Sequence, residues 1–334
     1  MMSDKDNDKQ SAYCTVWANE TRTKKTNTKQ KMIKLTRLVL YCVTLNCWVT
    51  RSCIEFALAE QPQQTFQNTL PSFNTVNEAA QLCITLWYVN SLQEGTNALT
   101  KLSDSLSSQY YHEMPEDDVE GWIVTNDSNG TIYVLFRSFE DTHLQEWLMN
   151  LDAVSAPLGS QEEGVRGSTT SEMQSLDVEV HSGWNNAIFN RYNNTSVYED
   201  ILSTLKTLLD VGIYNNILCI GHSQGGVLST ILATYLAATD MADQQIQVIT
   251  YGAPAPGNEA YRTYTNSLTN LAIWRLVNLG DPVPYMSSYW HAGHTVMLSP
   301  TSEGEADFKV YYLQYGNDTL GLAAEPNSWT GEFE

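Results

Sequence analysis

Ile217-Leu218-Cys219-Ile220 runs without a break into Gly221-His222-Ser223-Gln224-Gly225-Gly226. The four apolar residues predict a short buried strand, and the small-residue stretch Val227 to Ala237 behind the motif predicts a helix. A G-x-S-x-G run between strand and helix is a nucleophile elbow. Its serine occupies a strained turn that lifts the hydroxyl clear of the backbone at the carboxyl edge of the sheet. Glycine suits positions 221 and 225 because side chains there would collide with the neighbouring strand or helix. The next backbone N–H, that of Gln224, points at a carbonyl under attack and supplies one oxyanion donor. Ser223 is the candidate nucleophile.

The 334 residues carry 42% hydrophobic and 10% aromatic side chains, enough for a sizeable core. The net charge of −20 is unevenly spread. Residues 1–59 hold 10 basic against 5 acidic side chains, while residues 60–334 hold 8 against 33, a net of −25. So acidic a body excludes nucleic acid and tight binding to anionic membranes, and it suits an uncharged substrate.

The leader reads as targeting sequence. Residues 1–31 are polar and basic, without apolar period, and are expected to be disordered. Residues 32–59 combine a basic start (Met32 to Arg37), an apolar stretch (Leu38 to Val49) and Ala57-Leu58-Ala59, the pattern of a secretory signal peptide. Retained, the segment would act as a signal anchor tethering the protein to a membrane, although a span wants ~20 apolar residues. Sequons at Asn126, Asn129, Asn193, Asn194 and Asn317 agree with secretion as a glycoprotein. In the body, Cys83 and Cys219 read as buried thiols, with one disulfide between them as the alternative.

Residues 60–334 read as one domain. Ala79, Leu82, Cys83, Leu86 and Val89 predict a helix over 75–92, and Gly121 to Thr125 with Thr131 to Phe136 predict a hairpin. Thr142 to Leu151 is an amphipathic helix with Leu144, Trp147, Leu148 and Leu151 on one side. Residues 154–176 read as an exposed connection, 178–184 as a brief strand and turn, and Val197 to Leu209 as a helix. Strands at 247–251 and 273–278 follow. Alternating strands and helices predict an α/β fold, α/β-hydrolase-like, with a mostly parallel central sheet, helices on both faces and the elbow at Gly221–Gly225.

A serine hydroxyl needs a base, and the base needs a carboxylate to hold its tautomer. In such sheets the acid and then the histidine follow the serine. Downstream of Ser223 stand only His291 and His294, with Asp240, Asp243, Glu259 and Asp281 as intervening carboxylates. Asp281 follows the strand 273–278 at the sheet's carboxyl end, whereas Asp240 and Asp243 precede a strand. His291 lies in an aromatic-flanked loop, and His294 opens the next strand. Asp281 and His291 are the preferred acid and base.

These residues stand in a longer series that closely resembles the fungal-type triacylglycerol lipase family, the class 3 lipases, over roughly residues 82–312. The carriers are Tyr133-Val134-Leu135-Phe136-Arg137, Trp147-Leu148 with Leu151-Asp152, Val180-His181-Ser182-Gly183-Trp184, the elbow, Thr250-Tyr251-Gly252-Ala253-Pro254 with Gly257-Asn258, Asp281-Pro282-Val283-Pro284 and His291-Ala292-Gly293. The resemblance implies an α/β-hydrolase fold, carboxylic-ester hydrolysis and triad roles for Ser223, Asp281 and His291. It also implies a lid at Leu144, Trp147, Leu148 and Leu151. The family's F-R-G-[ST] oxyanion segment is replaced by Phe136-Arg137-Ser138-Phe139. The N–H of Phe139 can still donate, with Ser138 as substitute after a register shift. Losing one such donor costs roughly 10²–10³-fold in rate.

The expectation is thus a secreted serine hydrolase acting on neutral lipid or small ester substrates, including those at a lipid–water interface. Its alternative is a catalytically weak or inactive lipase-like binding protein. A serine peptidase or acyltransferase on the same fold shares the triad. His181, His222 and Trp184 read as structural, with His222 turned into the core. Neither a metal, a cofactor nor an obligate protein partner is predicted.

Overall fold

The computed structural model describes residues 66–87, 89, 91–114, 119–137, 154–161, 169–191, 194–300 and 308–313. Two helices, α1 (Phe73–Leu86) and α2 (Leu92–Leu102), precede the strands β1 (Leu106–Met114), β2 (Val119–Asn126) and β3 (Thr131–Phe136). The small strands β4 (Ser155–Pro157) and β5 (Glu179–His181) flank α3 (Ser171–Ser175), and α4 (Ser182–Phe189) and α5 (Val197–Asp210) follow. Then come β6 (Asn216–His222), α6 (Gln224–Ala238), β7 (Ile246–Tyr251), α7 (Glu259–Ser267), β8 (Leu271–Asn278), β9 (His294–Pro300) and β10 (Phe308–Leu313).

Eight strands form one sheet in the order β1-β2-β3-β6-β7-β8-β9-β10. β3, β6, β7, β8 and β9 run parallel, and antiparallel β1–β2 and β10 close the two sides. This is the expected mostly parallel α/β-hydrolase-like sheet. Register sets the rim: Phe136 pairs with Gly221, His222 with Tyr251, and Tyr251 with Leu276.

Consecutive residues of the central strands point to opposite faces, and both faces are covered. Ile217 and Cys219 join Val248 and Ile273 in a core with α4 to α7, including Trp184, Leu205, Val227 and Tyr261. Leu218 and Ile220 join Ile249 and Leu276 in a second core under α1 and α2, with Leu82, Leu86 and Trp122. Every residue of α6 from Gln224 to Ala237 is buried, and the hydroxyls of Ser229, Thr230 and Thr234 are satisfied by backbone carbonyls.

Local chemistry explains where the sequence reading needed correction. The helix predicted over 75–92 ends at Leu86, because Ser91 accepts the Glu94 N–H and caps a separate α2. Residues 154–176 are not simply exposed: Leu158 and Met173 are fully buried. The turn expected after Val180 is the helix α4, whose Trp184 and Ile188, four apart, face the core. In α5 the expected helix carries a reciprocal capping box between Ser196 and Glu199.

The sequon at Asn126 is buried, and its Nδ2 donates to Glu78 Oε1 at 2.5 Å, so the folded chain withholds that amide from a glycosyl donor. Cys83 and Cys219 are free, buried thiols rather than a disulfide, each pushed up to about 12 by burial. Among the described residues, no helix is long and apolar enough to cross a membrane.

Candidate active site

β6 delivers Ser223 to the carboxyl rim, and α6 starts at the next residue. Ser223 has φ 53° and ψ −124°, a conformation that L-residues reach only under strain. What holds it there is close packing behind it. A Cβ on Gly225 would stand 2.1 Å from the Phe136 carbonyl oxygen, and one on Gly221 would stand 2.3 Å from the Gly225 carbonyl carbon. The Ser223 N–H donates to the Tyr251 carbonyl at 2.8 Å, tying the turn to the end of β7. Gln224 opens α6, so its amide belongs to a helical turn with no intrahelical carbonyl to meet.

Beside the elbow, the end of β3 is fixed by a buried ion pair that the motif reading passed over. Arg137 pairs with Glu120 and donates through Nη1 to the Trp87 carbonyl at 2.9 Å, and its N–H donates to the Glu120 carbonyl at 2.9 Å. The oxyanion candidates Ser138 and Phe139 follow this anchor in the sequence. They lie outside the described residues, as do the lid candidates Leu144, Trp147, Leu148 and Leu151.

Asp281 follows β8 at the same rim. Its Oδ1 accepts the Val283 N–H at 3.0 Å, an Asx turn that fixes the carboxylate. Its Oδ2 faces Gly252, where a Cβ would lie 2.7 Å from that oxygen and 3.9 Å from His222 Nε2. The imidazole in Asp281's field is therefore that of His222. Loss of water lowers the His222 pKa, and the Asp281 charge opposes that by raising it.

His222 corrects the sequence reading: it is exposed at the rim, not turned into the core. As the last residue of β6, its side chain points to the face opposite its buried neighbour Gly221. It borders an apolar hollow of about 290 Å³ lined by Ala80, Cys83, Ile84, Trp87 and Tyr251. The Trp87 ring lies 5.4 Å away, and the Tyr251 hydroxyl is turned aside to the Val76 carbonyl at 2.6 Å. An imidazole next to the nucleophile was the available signal, since position 222 is a strand end rather than a strand interior.

His291 sits further down the β8–β9 connection, with Nε2 2.8 Å from the Pro284 carbonyl oxygen. Burial holds its pKa well below the usual histidine value, the Arg275 charge adds to this, and the Pro284 carbonyl opposes it. No hydrogen bond among the described residues joins His291 to Asp281 or to Ser223. Ser223 and Asp281 thus share one rim, while the His291 ring is turned to its own loop. His294 stacks on Trp274 at 4.7 Å and meets the Gln67 carbonyl at 3.1 Å, a packing role. His181 packs against Trp184 at 4.3 Å, also within the fold. No group of three or more His, Cys, Asp or Glu among the described residues could hold a metal ion.

Comparison with known proteins agrees with this architecture. Residues 133–290 match the sequence profile of the family described as Lipase (class 3). Phospholipase A1-II 1 of rice (Oryza sativa) is 28% identical over 163 residues, 46% of this chain and 39% of that protein. The chain therefore spans well under half the length of that curated relative. A triacylglycerol lipase from Penicillium expansum superposes with a TM-score of 0.52 at 20% identity, over 72% of this chain and 83% of its own. A triacylglycerol lipase whose catalytic centre is described as a serine protease triad gives 0.50 at 20% identity, over 71% and 81%. Over residues 133–290 the chain is thus similar to the class 3 lipases, and its fold is that of the fungal lipases.

Proposed function

We propose that the protein is a serine hydrolase cleaving carboxylic esters of neutral lipids through an acyl-serine intermediate. The observation that carries this reading is Ser223, held at φ 53° between a strand and a helix N-terminus with its own N–H tied to Tyr251. Related lipases are named for this activity, and one of them for a serine protease triad. In the reaction, Ser223 Oγ forms a bond to the ester carbonyl carbon, and the hydroxyl proton passes through an imidazole to the departing alcohol. Water then splits the acyl-serine and releases the carboxylic acid. The Gln224 N–H, with Phe139 or Ser138 as second donor, faces the developing oxyanion.

Asp281 and His291 take the roles of acid and base in this reading. His291 suits a base in being held neutral, but its Nε2 must leave the Pro284 carbonyl and swing to the rim before it meets Ser223. That same hydrogen bond, with Asp281 set against His222, favours a second reading: a weak or inactive lipase-like protein that binds its ligand. The basic and apolar leader supports secretion, or tethering where it is retained.

Hydrolysis of short- and long-chain nitrophenyl esters separates the readings. The wild type should turn over both, and Ser223→Ala should lose at least about a thousandfold in kcat/KM. A wild type that cleaves neither ester gives the second reading the field. Equal rates for wild type and Ser223→Ala remove Ser223 as nucleophile.

A further inference from the structure

The amino end of the sheet, opposite the rim of Ser223, holds a polar cavity that ester chemistry does not use. Its volume is about 290 Å³, and it lies between α1 and the first residues of β3, β6 and β7. Asn216 starts β6 seven residues before Ser223, roughly 23 Å along an extended chain. The two places are therefore separate. Register builds the floor: Tyr133 pairs with Leu218 and Leu218 with Gln247, while Thr131 pairs with Asn216 nearer the edge. Side chains alternate along a strand, so these positions share the face that carries the core under α1. A parallel sheet covered on that face calls for apolar residues, yet the chain places Thr131, Asn216 and Gln247 there. Over them, Glu78 of α1 accepts the Asn126 Nδ2 at 2.5 Å, and Phe66 supplies an aromatic wall. Burial raises the Tyr133 phenol and the Glu78 carboxylate adds to this, so that hydroxyl stays protonated. The Gln245 and Gln247 carboxamides, which also line the cavity, have no hydrogen-bond partner among the described residues.

We infer that this cavity binds a neutral saccharide ring. The inference stands apart from the ester reading. No lysine, arginine or histidine lines the cavity, so nothing there attracts a phosphate or a carboxylate. Its one carboxylate, Glu78, is already engaged by Asn126 and Tyr133. What is left is uncharged. A carboxamide both donates and accepts, which matches the two roles of a hydroxyl, and two carboxamides on one strand meet neighbouring ring hydroxyls. Phe66 offers a flat apolar face to the C–H side of the same ring. An apolar ligand would instead strand the amides without partners. Asn129, exposed and lining the mouth, opens the sequon Asn129-Gly130-Thr131, and its Oδ1 accepts the Thr131 N–H at 3.1 Å. The saccharide can therefore arrive free or as a glycan borne by the chain itself.

The test is saturation-transfer NMR of N-acetylglucosamine, titrated into the full-length chain made without glycans. The wild type should bind with a Kd on the order of 1 mM. Gln245→Leu/Gln247→Leu removes both amides at nearly constant volume and should weaken binding at least about tenfold, with the thermal midpoint unchanged. Phe66→Ala, in the half-buried 3-10 turn Phe66–Asn68, should weaken it too and decides the matter if the double variant is unstable. Ser223→Ala should bind as the wild type does. A wild type that does not bind, undiminished binding in the stable variants, or loss of binding in Ser223→Ala overturns the inference. Repeating the titration on chain glycosylated at Asn129 separates the two sources. Binding by both forms assigns the cavity to free saccharide, and binding by the bare chain alone assigns it to the chain's own glycan.

Discussion

Ser223 combines two costs that a folded chain rarely accepts together: a positive φ on a residue with a Cβ, and a hydroxyl-bearing side chain 5% exposed at a sheet edge. Both are imposed by contacts behind the turn. Gly225 lies so near the Phe136 carbonyl that any side chain must push β3 and α6 apart. Gly225→Ala is therefore expected to cost about 1–3 kcal/mol of unfolding free energy, read by denaturant titration, and to depress any activity further by tilting the elbow. An unchanged stability would show that the strand and helix leave room for a methyl group at position 225. The elbow was fully legible in the sequence because glycine spacing, an apolar strand and a small-residue helix all state the same turn. The setting of His222 was not. Periodicity says which residues alternate, but it does not say where a strand leaves the core, and His222 stands one residue beyond that point.

At the scale of elements, the connection from β8 to β9 holds both the best and the least legible parts of the site. Asp281 could be placed because a carboxylate following a parallel strand stands at its carboxyl end. His291 could not, because its orientation depends on a loop whose backbone carbonyls compete for the ring. Pro284 wins that competition here. The consequence is a pH-dependent stability whose sign is fixed. The folded pKa of His291 lies below its ordinary value of 6.5, so below that pH the unfolded chain takes up the proton first. Stability contributed by the neutral ring is complete above 6.5 and drains as pH falls toward the folded value, by at most about 1.4 kcal/mol per pH unit. Denaturation curves between pH 7 and pH 5 should therefore fall more steeply for wild type than for His291→Gln. Parallel curves would mean that the ring is solvated and free to titrate. A similar limit hid α4: Ser182-Gly183 reads as a turn from composition alone, and only the burial of Trp184 and Ile188 on one face makes it helical.

Across the whole molecule, two cores on opposite faces of one sheet hold the rim rigid while leaving its loops to chemistry. That division was readable from alternating strands and helices, which is why the fold followed from sequence while the hydrogen bond of His291 to Pro284 did not. Hydrophobic pattern specifies layers, whereas a hydrogen-bonded chain between residues 58 and 10 positions apart depends on loop geometry that pattern does not encode. On the proposed reading, the acidic balance of the body acts at this same scale and suits an uncharged substrate. On the proposed reading, this arrangement presents the Ser223 hydroxyl as a nucleophile. The most direct test is covalent: treat the native protein with a fluorophosphonate, digest it, and locate the adduct by mass spectrometry. The account predicts one modified peptide in the wild type, carrying the phosphonyl group on Ser223, and no adduct in Ser223→Ala. A wild type that stays unmodified, or an equal adduct in both proteins, would contradict it.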